Sequence, residues 1–262
     1  MRRFLVLQLR PEDAAADEEF AAFLDRGGLD EGRVHRIRLD RARLPGLALD
    51  DYAGVIVGGG PGCVSDPPEA KSPIEARIEA DILSLMPEIL ARDMPFLGCC
   101  YGLGILAHHM GGRVAKGRYG EPIGGVDCAI TPEGAADPLL AGLPATFRAL
   151  VGHKEAVEEL PQGVVRLVTS APCPVQMVRT GRHVYATQFH PEARGENFAS
   201  RIRIYADRGY FDPADAEALT QACLAEAVTV PERILARFVE RFGGTAAATA
   251  PDVPETRAAR GA

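Results

Sequence analysis

Twice between residues 54 and 110 the chain runs from a short apolar strand through a glycine-bearing turn into a helix. No other feature constrains the fold as much. Gly54-Val55-Ile56-Val57 is a continuous apolar run, as a strand buried on both faces requires, and it breaks into Gly58-Gly59-Gly60-Pro61-Gly62. A helix is expected over 73–92, with Ser72 as its N-cap and Pro73 at the first helical position. Pro95-Phe96-Leu97 predicts the next strand, and 103–110 a helix stopped by Gly111-Gly112. Upstream, 3–8 and 34–39 read as strands around a helix at 14–24, opened by Pro11, Glu12 and Asp13. Strands alternating with helices predict an α/β fold, a mainly parallel open sheet flanked by helices.

From about 114 to 189 the pattern changes to short β runs with turn residues between them, among them 164–169, 175–179 and 183–189. Beyond His190 helices are expected at 196–208, 213–227 and 231–242. The expected organisation is a catalytic domain over 1–195, a helical C-terminal extension of the same domain over 196–244, and a disordered tail over 245–262. That tail is rich in Ala, Thr and Pro and has no periodicity.

With 29 Lys and Arg against 36 Asp and Glu, the net charge is −7, and the chain lacks the basic footprint of a nucleic-acid or anionic-membrane binder. Arg2-Arg3 before Phe4-Leu5-Val6-Leu7 resembles the start of a signal peptide. The apolar run is too short, however, and Gln8, Arg10, Glu12 and Asp13 follow at once, so a first strand and a cytoplasmic location are expected. The six cysteines (Cys63, Cys99, Cys100, Cys128, Cys173, Cys223) include no Cys-x-x-Cys pair. His108 and His109 are neighbours about 100° apart on a helix and cannot both grip one ion, so no metal site is expected. Most of these cysteines should be small buried residues.

One cysteine stands apart. Phe96-Leu97-Gly98-Cys99-Cys100-Tyr101-Gly102 places Gly-x-Cys-x-Gly between a strand and a helix, the cysteine form of a nucleophile elbow. Side chains at the flanking glycines would collide as strand and helix fold back, and the helix N-terminus should lower the thiol pKa. Taken alone, the motif reads equally well as a core cysteine in a tight turn. Gln188-Phe189-His190-Pro191-Glu192 supplies a second element: in extended backbone His190 and Glu192 lie on one side, so the carboxylate can orient the imidazole. The Gly58–Gly62 loop is followed by no Gly-Lys-Ser/Thr and completes no Gly-x-Gly-x-x-Gly, so it is no phosphate loop. It can instead aim backbone N–H groups at an oxyanion, Gly60 from this loop and Tyr101 from beyond the cysteine.

In this order the three elements resemble the class I, Cys-His-Glu triad glutamine amidotransferases, and most closely the amidotransferase half of GMP synthase, over about residues 3–195. The resemblance implies a flavodoxin-like sheet of that family's type. It implies Cys100 as nucleophile, His190 as base and then acid, Glu192 as its orienter, and Gly60 and Tyr101 as oxyanion donors. Val151-Gly152-His153-Lys154 falls where the family holds substrate by backbone, so Gly62 and His153 would mark the pocket wall. No cofactor is implied. The substrate would be L-glutamine or another γ-glutamyl amide, with ammonia passing to a synthetase on a separate chain. No nucleotide loop of the Ser-Gly-Gly-Val-Asp-Ser-Ser type occurs in this sequence. Any exposed part of the C-terminal helices would remain for a partner or a homo-oligomer.

Two positions depart from the family pattern. Gly104 stands where the family carries a substrate-binding glutamine, which predicts weak glutamine affinity and a lower KM on Gly104→Gln. Cys99 stands where an aliphatic residue is usual. An independent hydrolase of γ-glutamyl amides on the same triad is the alternative reading.

Overall fold

The computed structural model of the chain describes residues 2–206 and 211–244. The expected disordered tail, and the end of the helix expected over 196–208, lie outside the described residues. Among those described, nine strands form one sheet. They are β1 (Arg3–Gln8), β2 (Val34–Arg38), β3 (Tyr52–Val57), β4 (Phe96–Cys99), β5 (Arg113–Ile130), β6 (Thr146–Glu159), β7 (Val165–Ser170), β8 (Met177–Thr180) and β9 (Val184–Thr187). Their order is β2-β1-β3-β4-β9-β8-β7-β5-β6. The first five in that order pair parallel, and from β9 onward the pairings are antiparallel. The expected parallel sheet is thus the half that carries the cysteine elbow, within a sheet that is mixed as a whole.

Side-chain alternation along the strands builds two cores. Leu5 and Leu7 of β1 face α2 (Pro73–Ala91) and α3 (Tyr101–His109), meeting Ile82, Met86 and Leu103. Phe4 and Val6 face the other way, toward Phe23 of α1 (Asp13–Gly27) and Ile234, Leu235 and Phe238 of α7 (Val230–Gly243). Phe238 is wholly buried, its ring 6.0 Å from that of Phe4 and 6.4 Å from that of Tyr185, so the last helix is part of the main core. Between them lie the short α4 (Pro132–Ala135), and α5 (Gly195–Tyr205) and α6 (Ala216–Leu224), which close a smaller cluster around Phe198, Ile202 and Cys223. The capping of α2 is as its sequence implies: Ser72 Oγ accepts from Glu75 N, and Glu75 Oε2 accepts from Ser72 N.

The region 114–159 differs from expectation. Instead of short runs it forms the long antiparallel ribbon β5–β6, whose register shifts between Lys116 and Glu121 and again between Glu121 and Gly124. Gly117, Gly120, Pro122 and Gly124 look like turn residues in the sequence because the strand is irregular there, not because it ends. All six cysteines are free, and five are buried, leaving Cys100 half-buried.

Candidate active site

The elbow forms at the carboxyl end of β4. Cys100 sits at φ +52°, ψ −94°, a conformation that L-residues rarely adopt, and α3 begins at the next residue. Its N–H donates to the Thr187 carbonyl at 2.7 Å, locking the turn to the end of β9. Gly98 is required: a Cβ there would lie 2.8 Å from the Gly102 carbonyl carbon and oxygen. Gly102 itself is not pressed in the same way, since a Cβ would meet Val57 at 3.5 Å, an ordinary contact. The expected collision therefore comes from one flank only.

β3, β4 and β9 are neighbours in the parallel half, and their carboxyl ends bring together the Gly58–Gly62 loop, Cys100 and His190. Backbone and imidazole approach closely there. A Cβ at Gly59 would stand 2.5 Å from His190 Cε1 and 2.9 Å from Arg10 Nη2, and one at Gly58 would stand 2.6 Å from Glu19 Oε2. Glycine in this loop thus leaves room for the imidazole beside it.

His190 Nδ1 donates to Glu192 Oε1 at 2.8 Å, which leaves Nε2 as the nitrogen for chemistry. Arg201 Nη2, from α5, donates to the same oxygen at 2.9 Å. Phe198 packs edge-on against the imidazole, its centroid 5.6 Å away, with the Arg201 guanidinium over its ring. Burial would raise the Glu192 carboxyl, but the His190 ring and the Arg201 guanidinium outweigh it and hold the group well below the usual carboxylate range. Burial also lowers His190, against the raising influence of Glu192, which favours the neutral imidazole.

The thiol departs from expectation. Burial pushes Cys100 up to about 12; the Arg10 guanidinium opposes the rise, while Glu155 and Glu192 add to it. Desolvation outweighs the stabilisation expected from the helix N-terminus, which favours the neutral thiol. The Gln188 side-chain amide donates to its sulfur at 3.7 Å. Cys99 is wholly buried and is raised well above its ordinary value, by burial first.

A cavity of about 30 Å³ lies over Cys100, lined by Gly60, Gly62, Tyr101, His153, Glu155 and Gln188 among others. Past Gly60, Gly62 and Tyr101 it meets a groove of about 420 Å³ walled by Leu9, Ile74 and Ile78. His153 stands in the wall, but its side chain is tied down elsewhere: Nδ1 donates to the Glu155 carbonyl at 2.8 Å and Nε2 meets Glu121 Oε2 at 2.8 Å. Gln176 Nε2 donates to the same Glu121 oxygen at 2.6 Å. Glu121, His153 and Cys173 form the one trio among the described residues whose ligand atoms could surround a metal ion, yet two of the three already satisfy each other. Gly104 borders Glu155 and Val64 rather than the cavity itself.

Residues 29–203 match the family described as glutamine amidotransferase class-I. The chain is similar to one of the subunits of the glutamine-hydrolysing GMP synthase of Natronomonas pharaonis, 34% identical over 143 residues, covering 54% of this chain and 67% of that protein. It is also similar to the glutamine-hydrolysing GMP synthase of Pediococcus pentosaceus, 32% identical over 167 residues, 63% of this chain but 28% of the relative's length. A glutamine amidotransferase of Thermotoga maritima has the same fold, with a TM-score of 0.72 at 22% identity over 94% of this chain and all of that one. One from Methylobacillus flagellatus gives 0.67 at 18% identity over 96% and 100%.

Proposed function

The chain belongs to the class-I glutamine amidotransferase family, and on that premise we propose that it hydrolyses the side-chain amide of L-glutamine through a thioester on Cys100. The observation that carries the reading is the strained Cys100 turn on β4, adjacent to the β9 end that presents the His190–Glu192 pair. As sulfur attacks the amide carbon, its proton passes to His190 Nε2, and the new charge on the amide oxygen meets the N–H groups of Gly60 and Tyr101. The carbon–nitrogen bond breaks as His190 returns the proton to nitrogen, and ammonia leaves. Water then attacks the thioester with His190 as base, freeing glutamate and restoring the thiol. Glu192 stabilises the imidazolium formed in each half of the cycle.

The similar Natronomonas pharaonis protein, named as one subunit of a GMP synthase, supports release of the ammonia to a synthetase on a separate chain. The Leu9–Ile74–Ile78 groove favours a second reading, hydrolysis of γ-glutamyl amides whose amine carries an apolar substituent. Ammonia release from glutamine by the purified chain, beside amine release from a panel of γ-glutamyl amides, separates the two. Under either reading Cys100→Ala is inactive. An active Cys100→Ala protein would end both.

A further inference from the structure

Arg10 follows β1, is 6% exposed, and borders neither the Cys100 cavity nor the groove beside it. A buried guanidinium keeps its charge and therefore needs a partner. The partner is Glu19 of α1, itself fully buried: Arg10 Nε donates to Glu19 Oε1 at 2.9 Å, and Gln8 Nε2 donates to Oε2 at 3.0 Å. Arg10 Nη1 donates to the Tyr205 hydroxyl at 3.3 Å. The remaining nitrogen, Nη2, stands with the catalytic histidine. The three atoms nearest a Cβ at Gly59 would be His190 Cε1 at 2.5 Å, Arg10 Nη2 at 2.9 Å and His190 Nε2 at 3.3 Å. Glu19 lies instead beside Gly58, its Oε2 2.6 Å from where a Cβ would be. The ion pair thus presents its cation, and not its anion, to the Cε1–Nε2 edge of His190.

Resting on the glutaminase reading above, we infer that Arg10 is a positioning residue for proton transfer through His190, its fixed guanidinium disfavouring the imidazolium. His190 then waits neutral as a base and, once protonated, gives the proton up readily as an acid. That proton goes from Nε2 to the amide nitrogen as the carbon–nitrogen bond breaks; the bonding pair stays on nitrogen, and ammonia leaves. Glu192 works the other way from Nδ1 and stabilises the cation. Opposed in this manner, the two charges keep imidazole and imidazolium close in energy, as a group that is base and then acid requires. The other charged groups around the ring are engaged elsewhere: Arg201 of α5 donates to Glu192, and Glu18 of α1 accepts from Asn197 at 2.6 Å. Cys100 comes from the start of α3. Burial is the first cause that lowers His190, and Arg201 and Arg10 add to it. The same Arg10 guanidinium opposes the burial that raises Cys100.

The test follows the His190 Cε1–H resonance against pH, assigned by its absence in His190→Gln, beside the pH dependence of kcat/KM for ammonia release from L-glutamine. Arg10→Met removes the cation, so the titration and the acid limb should both move upward, by about one pH unit. Turnover should fall about threefold to tenfold with KM little changed. Arg10→Lys keeps a cation and should recover most of the shift. Glu19→Gln removes only the counter-charge and should move the titration downward. Because Arg10→Met strands a buried carboxylate, the double variant Arg10→Met/Glu19→Gln, for which an upward shift is also expected, carries the test where the single variant does not fold. A titration that stays in place when the cation is removed, or that moves as far in Arg10→Lys as in Arg10→Met, would reduce Arg10 to bracing α1 and overturn the assignment. A wild type that releases no ammonia from glutamine would overturn the glutaminase reading, and this inference with it.

Discussion

Arg201 and Glu192 form a buried ion pair in which Nη2 donates, at 2.9 Å, to the same carboxylate oxygen that His190 Nδ1 engages. The other carboxylate oxygen has no hydrogen-bond partner among the described residues, so the orientation of the imidazole depends on a single shared atom. Arg201→Met should allow the Glu192 carboxyl to rise toward its ordinary range and the histidine to drift. Breaking a buried pair by removing one partner costs about 3–5 kcal/mol. The expected result is a lower Tm together with an acid limb of kcat moved to higher pH. Arg201→Lys should restore stability better than turnover, because a point charge replaces the planar fork.

His190→Ala should lower kcat by on the order of 10³-fold or more, by analogy with other nucleophile–base pairs. Glu192→Gln should cost less, because it disturbs tautomer and orientation but leaves the proton carrier in place. Steady-state kinetics on glutamine with folded variants checks the order. Equal turnover by wild type and His190→Ala would remove His190 from the mechanism.

Stability should fall on acidification, and the two buried groups act in the same direction. Burial lowers His190 from its ordinary 6.5, so its contribution is complete above that value and is lost as pH falls toward the folded-state value. Glu192 lies below its ordinary 4.5, so its share is complete above 4.5 and disappears as pH falls through its depressed value. Tm measured from pH 8 to 4 should begin to decline just below 6.5. In His190→Gln that first part of the decline should be absent.

Gly59→Ala should cost about 100-fold in kcat/KM, because the new methyl would stand 2.5 Å from His190 Cε1 and displace the base. Gly102→Ala, despite its place in the elbow motif, should cost far less, since its Cβ meets only Val57 at an ordinary distance. Gly104→Gln should raise KM, because Glu155 Oε1 already occupies that space. This reverses the expectation drawn from the family pattern. Parallel kinetics on the three glycine variants tests the ranking.

What the sequence could reveal was local. The elbow, the loop after β3 and His190-Pro191-Glu192 are each set within a few residues by glycine, proline and strand alternation, and the structure puts all three at the carboxyl ends of neighbouring strands in the middle of the sheet. The residues that tune them are distant in the chain. Glu155 reaches Val64 and Ser65 some 90 positions away, and Arg10 stands with His190 on the same side of Gly59. Arg201 looks in the sequence like an ordinary charge on an amphipathic helix; only the docking of α5 turns it toward Glu192. The thiol's resting state was illegible for the same reason, since it depends on burial by segments that no local pattern relates to Cys100.

The central claim is a γ-glutamyl thioester on Cys100, and the most direct measurement is mass analysis of the peptide holding both adjacent cysteines after acid quench during turnover of L-glutamine. The account predicts the mass of one glutamyl group on that peptide, fragmentation that places it on Cys100, full retention in Cys99→Ala, and loss of both adduct and ammonia release in Cys100→Ala. An adduct on Cys99, or ammonia released at the wild-type rate by Cys100→Ala, would contradict it.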